Sequence, residues 1–153
     1  MDFIAREIRL RVPRARVWRA LADAQEFGRW FGVRLDGQRF EPGRRARGNI
    51  TYPGYEHIVF DVVIERMEPE RLLSWRWHPY PVDPAIDYSK EPTTLVVFEL
   101  TDIPSGTLLK VVESGFDAIP AARRAEAFRM NSAGWDGQIQ NIERALQAEE
   151  SDD

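Results

Sequence analysis

The sequence predicts an α+β domain in which a curved antiparallel sheet carries one long C-terminal helix. Three observations predict it. Between Pro120 and Ala148, Phe128, Trp135, Ile139, Ile142 and Leu146 recur at spacings of seven, four, three and four, which aligns them on one stripe of a helix. Between Val33 and Ser114 the chain is mostly short alternating runs punctuated by Gly and Pro turns, the pattern of strands joined into an antiparallel sheet. Between the first strand and that body lie two short helical runs. A long amphipathic helix is marginal alone and needs a surface to lie on. The strands supply one, and a sheet bent around a rod is expected to leave a hollow between them.

The elements follow in order. Phe3 to Val12 alternates, with Ile4, Ile8, Leu10 and Val12 on one face; Arg6 breaks that face. Pro13 ends the strand. Val17 to Ala22 reads as a short helix, and Asp23 as the cap of a second one over Ala24 to Arg29. Val33 to Leu35 is a short strand. Asp36-Gly37 and Pro42-Gly43 are turns around Phe40. Arg44 to Tyr52 and His57 to Met67 are strands, and Glu68-Pro69-Glu70 turns into Arg71 to His78, where Leu73, Trp75 and Trp77 share one face. Pro79 to Pro92 carries four prolines and neither period, so it is expected to be a long loop covering one mouth of the hollow. Thr93 to Thr101 and Thr107 to Ser114 form a hairpin. Its inward residues are Val96, Phe98 and Leu100, then Leu109, Val111 and Glu113. Pro120 suits the start of the final helix because its missing N–H has no helical partner there. Gly134, mid-helix beside Trp135, costs about 1 kcal/mol relative to Ala and is expected to mark close approach of the helix to the sheet. Residues 1–148 form one domain, and the acidic stretch 149–153 reads as a disordered tail.

Composition removes several function classes. The 153 residues carry a net charge of −4 and no cysteine. Thiolate nucleophiles, disulfides and cysteine-based zinc sites are therefore excluded, and a reducing compartment fits. The opening residues Met1 to Glu7 show no secretion signal and no run is long enough to span a membrane, so a cytoplasmic protein is expected. Basic residues are scattered, including the small cluster Arg44, Arg45 and Arg47, which reads as a solvated strand edge rather than a nucleic-acid surface. His57 and His78 are the 2 histidines. Neither has metal-ligand spacing to a partner, and no G-x-S-x-G nucleophile element is present. No metal or cofactor is expected.

The residues singled out for function lie on the predicted inner surface. Trp30, Trp75, Trp77 and Trp135, with Phe98, Val111 and Ile139, either line an apolar pocket or pack helix on sheet. Trp18 reads as core. Glu113 is the most informative position, since an inward carboxylate is costly unless paired or hydrogen-bonded. It is a candidate acid/base or polar anchor for a ligand, with His57 as a second catalytic candidate; the alternative is a strand-end residue meeting solvent or an Arg.

Several segments together resemble a known family. Val17-Trp18-Arg19-Ala20-Leu21 with Trp30-Phe31, Phe40-Glu41-Pro42-Gly43, and Glu68-Pro69-Glu70-Arg71-Leu72 with Trp75 and Trp77 are similar to the activator-of-heat-shock-chaperone-ATPase-like family. Gly106-Thr107, Glu113-Ser114-Gly115-Phe116 and Gly134-Trp135 match its closing pattern, so the resemblance spans about residues 3 to 147. The family sits in the START-like, or polyketide-cyclase-like (SRPBCC), superfamily. The resemblance implies a helix-grip fold enclosing a ligand cavity. The superfamily includes lipid carriers, hormone receptors, aromatic cyclases and co-chaperone domains, and fold alone does not choose among them. The leading expectation is binding of a small, largely apolar ligand, a lipid or polycyclic aromatic compound, between sheet and helix. The alternatives are a cyclase or dehydratase using Glu113, and a chaperone-interacting module; a chaperone or a second copy of the chain is the expected protein partner.

Overall fold

The computed structural model describes residues 2–150, with side chains described as far as Gln147. The order is β1 (Phe3–Leu10), α1 (Arg14–Ala22), α2 (Ala24–Phe31), β2 (Arg45–Asn49), β3 (Val59–Glu68), β4 (Leu72–Trp77), β5 (Thr94–Ile103), β6 (Gly106–Ser114) and α3 (Ala121–Glu150). One antiparallel sheet holds all six strands in the order β1-β6-β5-β4-β3-β2. α3 lies along its inner face, giving the α+β helix-grip architecture the sequence implies. The remainder of the acidic tail, 151–153, lies outside the described residues.

Alternation sets the core. Val96, Phe98 and Leu100 of β5, and Leu109, Val111 and Glu113 of β6, are all buried. Trp75 and Leu73 of β4 are fully buried, while Arg76 is exposed and pairs with Glu65 of β3. Glu65 sits at a bulge between Ile64 and Arg66. The bulge adds a residue to β3, so Arg76 keeps its outward side. The β5–β6 hairpin is tighter than the sequence suggests: strand pairing continues to Ile103 and Gly106, leaving Pro104-Ser105 as the turn.

Local chemistry fixes the helical pair. The Asp23 side chain accepts from the Glu26 N–H, capping α2 as expected. Gly32 ends it at φ 92°, a left-handed conformation that suits glycine. Gly48 lets β2 pass under the chain at Arg34: an added Cβ would lie 1.8 Å from the Arg34 carbonyl oxygen.

α3 is held by polar contacts as much as by its apolar stripe. Trp135, Ile142 and Leu146 are buried; Phe128 and Ile139 are half-buried. Arg6, the residue that broke the β1 pattern, reaches across to α3, where its Nε donates to Asp136 at 2.6 Å and its Nη2 to Ser132 Oγ at 2.7 Å. Gln138 donates to the Phe31 carbonyl at 2.9 Å and Asn141 to the Tyr52 hydroxyl at 2.8 Å.

Gly134 corrects an expectation. It faces solvent, and nothing lies within 4 Å of where its Cβ would be. The same holds for Gly137. The expected close approach to the sheet is absent, because Gly134 precedes Trp135 and so falls off the buried stripe. Gly134→Ala and Gly137→Ala should therefore each stabilise the fold by about 0.5–1 kcal/mol. Thermal unfolding should show each variant melting roughly 1–4 °C higher, and a lower midpoint would mean that the helix backbone is used by a contact not described above.

Candidate functional site

The region between α3 and the middle strands is packed rather than hollow. Phe27 of α2 sits at the centre of an aromatic cluster, stacked on Phe31 at 4.8 Å between ring centroids and edge-on to Trp75 at 5.6 Å. Trp75 meets Phe98 at 5.2 Å, and Phe98 meets Trp135 at 5.8 Å. These side chains are all buried, so the sheet, α2 and α3 are joined by ring contacts. Trp30 is also buried, and its indole N–H donates to the Ala20 carbonyl at 2.7 Å, tying α2 to α1.

The open space lies beside this cluster. A cleft of about 690 Å³ runs between the start of β3, the loop 78–89 and the side of α3. Phe31, Phe60, Trp77, Ile58, Val82 and Ile86 give it apolar walls; Asn131 of α3 is at its inner side. His57 stands exposed on the rim. Arg45 and Arg47 stand there too, sharing Asp61, which Arg45 grips through two hydrogen bonds. That pairing holds the Arg45 guanidinium above its ordinary range. Next to His57, hydrogen bonds from backbone N–H groups, its own first, hold the exposed Glu56 carboxyl below the usual range. A second depression, about 820 Å³, is lined mainly by polar side chains such as Arg9, Arg11, Glu143 and Gln147 and carries no ring.

Of the residues marked from sequence, Trp77 and His57 meet at this cleft. Trp30, Trp75, Phe98, Val111 and Trp135 lie in the packed core, and half-buried Ile139 is not among the cleft walls.

Glu113 lies behind the cleft wall with 0 % exposure. It meets neither solvent nor an arginine. Its Oε2 accepts from Trp77 Nε1 at 2.8 Å and Thr94 Oγ1 at 2.5 Å. Its Oε1 accepts from Trp135 Nε1 at 2.9 Å, and Asn131 Nδ2 lies 3.0 and 3.2 Å from the two oxygens. A buried carboxylate is tolerated when its lone pairs are filled by donors, and both oxygens here are. Of this set, Thr94 and Asn131 were not marked from sequence. Thr94 shares the inward alternation of Val96 and Phe98, and Asn131 falls midway between Ala127 and Trp135 on the buried stripe. Those positions were the available signal.

The loop is pinned to α3 by one residue. Arg123 donates through Nε to Glu91 at 2.8 Å and through Nη1 to the Pro79 carbonyl at 2.7 Å. Its guanidinium lies 4.7 Å from the centre of the Tyr88 ring. His78 Nε2 is 3.0 Å from the Glu91 carbonyl. Tyr80 holds φ 50° in the same loop, a conformation disfavoured for a side chain of that size.

The profile of the family described as Activator of Hsp90 ATPase homolog 1-like protein matches residues 11–147. The chain belongs to that family. No curated protein matches the sequence. Among solved structures, protein MLL2253 from Mesorhizobium loti is 28 % identical, with a TM-score of 0.71 over 95 % of this chain and 97 % of that one. Protein NE0264 from Nitrosomonas europaea is 22 % identical, with a TM-score of 0.70 over 98 % of this chain and 97 % of that one. DynU16, from the dynemicin biosynthetic locus, is 23 % identical, with a TM-score of 0.72 over 96 % of this chain and 48 % of that one. This member of the Activator of Hsp90 ATPase homolog 1-like family thus spans about half of DynU16, and the likeness is one of fold. Among the described residues no helix is long and apolar enough to cross a membrane.

Two outcomes test the geometry. Glu113→Gln replaces one acceptor oxygen by a donor that faces an indole N–H or the Asn131 amide, so it should cost about 1–3 kcal/mol; urea unfolding followed by tryptophan fluorescence reads the loss. Arg123→Gln removes the guanidinium from both ends of the loop and should make residues 79–92 the first site of limited proteolysis, with the cut made faster than in the native chain.

Proposed function

We propose that this protein binds a small, largely apolar ligand in the cleft walled by Phe31, Phe60 and Trp77. The observation that carries the reading is a space of about 690 Å³ lined by rings and aliphatic side chains, the size and character typical of small-molecule sites. Family membership supports it, because the superfamily that the sequence resembles is built around such concavities. The site differs in place from the hollow expected between sheet and helix. It opens to one side of α3, under the loop 78–89, because the aromatic cluster fills the middle.

The acid/base reading of Glu113 has less support. The carboxylate already receives five hydrogen bonds and is separated from the cleft by two of its own donors, Trp77 and Asn131. That arrangement suits a group that positions its neighbours.

Apolar dyes and fatty acids should raise the melting temperature by mass action, by about 2.7 kcal/mol of stability at a ligand concentration a hundred times Kd. Ile58→Glu, which places a charge on the apolar wall, should abolish the shift. The absence of any shift across a broad panel would remove the support for binding. Co-purification with a chaperone that persists when the cleft is filled would favour an interaction module instead.

A further inference from the structure

The buried carboxylate also decides what the inner side of the cleft offers to a ligand. Asn131 is half-buried and lines that side. Its Nδ2 lies 3.0 and 3.2 Å from the two Glu113 oxygens. An ionised carboxylate only accepts hydrogen bonds, so turning the amide over would set Oδ1 against like oxygens. The amide is therefore locked with its NH₂ group toward Glu113 and its carbonyl oxygen away from it. Among the described residues no side chain or backbone donor is hydrogen-bonded to Asn131 Oδ1.

Trp77 is locked in the same way. Its indole N–H is given to Glu113 at 2.8 Å, so the side chain meets the cleft as ring and not as donor. Phe31 and Phe60 have no polar atom to offer. Of the charged and imidazole groups of the cleft, Arg45, Arg47, His57 and Asp83 are exposed, Asp61 is shared by the two arginines, and half-buried His78 has its Nε2 3.0 Å from the Glu91 carbonyl; the Tyr88 hydroxyl accepts from the Asp83 N–H. On the side formed by α3 the cleft is thus lined by Asn131, whose acceptor oxygen cannot turn.

We infer that Asn131 determines specificity: the cleft selects an apolar molecule bearing a hydroxyl, whose O–H donates to Asn131 Oδ1 while its body lies against Trp77 and Phe60. This rests on the ligand-binding reading above. An ether of the same shape brings only an acceptor to that oxygen. It would leave the Asn131 carbonyl desolvated without a donor, which is how a polar site rejects a close analogue.

The probes are 2-naphthol and its methyl ether, titrated into the native chain and into Asn131→Leu by tryptophan quenching and calorimetry. Circular dichroism checks that the variant is folded. The native chain should prefer the naphthol by about ten-fold, the worth of one well-placed hydrogen bond. In Asn131→Leu the two probes should bind alike, with the ether little changed. Equal binding of both probes by the native chain overturns the inference and leaves the ligand cleft standing. A preference that survives in Asn131→Leu also overturns it, since the acceptor then lies elsewhere. Failure of both probes, together with failure of the broad apolar panel, overturns the ligand cleft and the inference with it. Should the leucine variant not fold, the native comparison of naphthol with ether still decides.

Discussion

A negative charge with no solvent of its own has to be surrounded by donors, and in this fold the surrounding is what ties the parts together. Glu113 comes from β6, Thr94 from β5, Trp77 from β4, and Asn131 and Trp135 from α3. Three neighbouring strands and the long helix therefore converge on two oxygen atoms. Indole and amide donors have fixed directions, unlike apolar contacts, so Asn131 and Trp135 set the rotation of α3 as well as its distance from the sheet. Ring packing by Phe27, Phe98 and Trp135 adds apolar burial around the network. The carboxylate supplies the register.

The same point explains why the space in this molecule lies where it does. Trp75 and Trp135 are both large and both inward, and together with α2 they occupy the middle of the concave face. Trp77 is two residues nearer the end of β4, at the edge of that packing, with one side toward the core and the other toward the cleft. A tryptophan in this position is both wall and bolt: its ring shapes the opening, and its N–H fastens it to Glu113.

Much of the fold was legible from residue order because alternation and helical spacing are local properties. The inward setting of Glu113 followed from Leu109 and Val111 before it, and the capping role of Asp23 from its place before an apolar run. What was not legible depended on volume and on partners distant in sequence. Alternation shows which side chains turn inward but not whether they fill the space they turn into, so the tryptophans could be read as pocket or as packing. Trp30 joined the packing because its N–H found the Ala20 carbonyl. Arg6 looked like an error in a strand until Asp136 and Ser132, some 130 residues later, gave it partners. Gly134 was misjudged for a related reason: the cost of glycine in a helix is certain, but its neighbour's burial says nothing about its own. The remaining site residues, Thr94 and Asn131, were concealed by being ordinary polar residues at positions where only burial makes them unusual.

The Arg123 anchorage has a consequence for the segment between Pro79 and Glu91. One guanidinium serves the entry of the segment at Pro79 and its exit at Glu91. Detaching either end leaves a largely enclosed cation with fewer partners, which is costly. The two ends of the segment thus share a single anchor, seated on the first turn of a helix whose far end lies some 40 Å away at about 1.5 Å per residue.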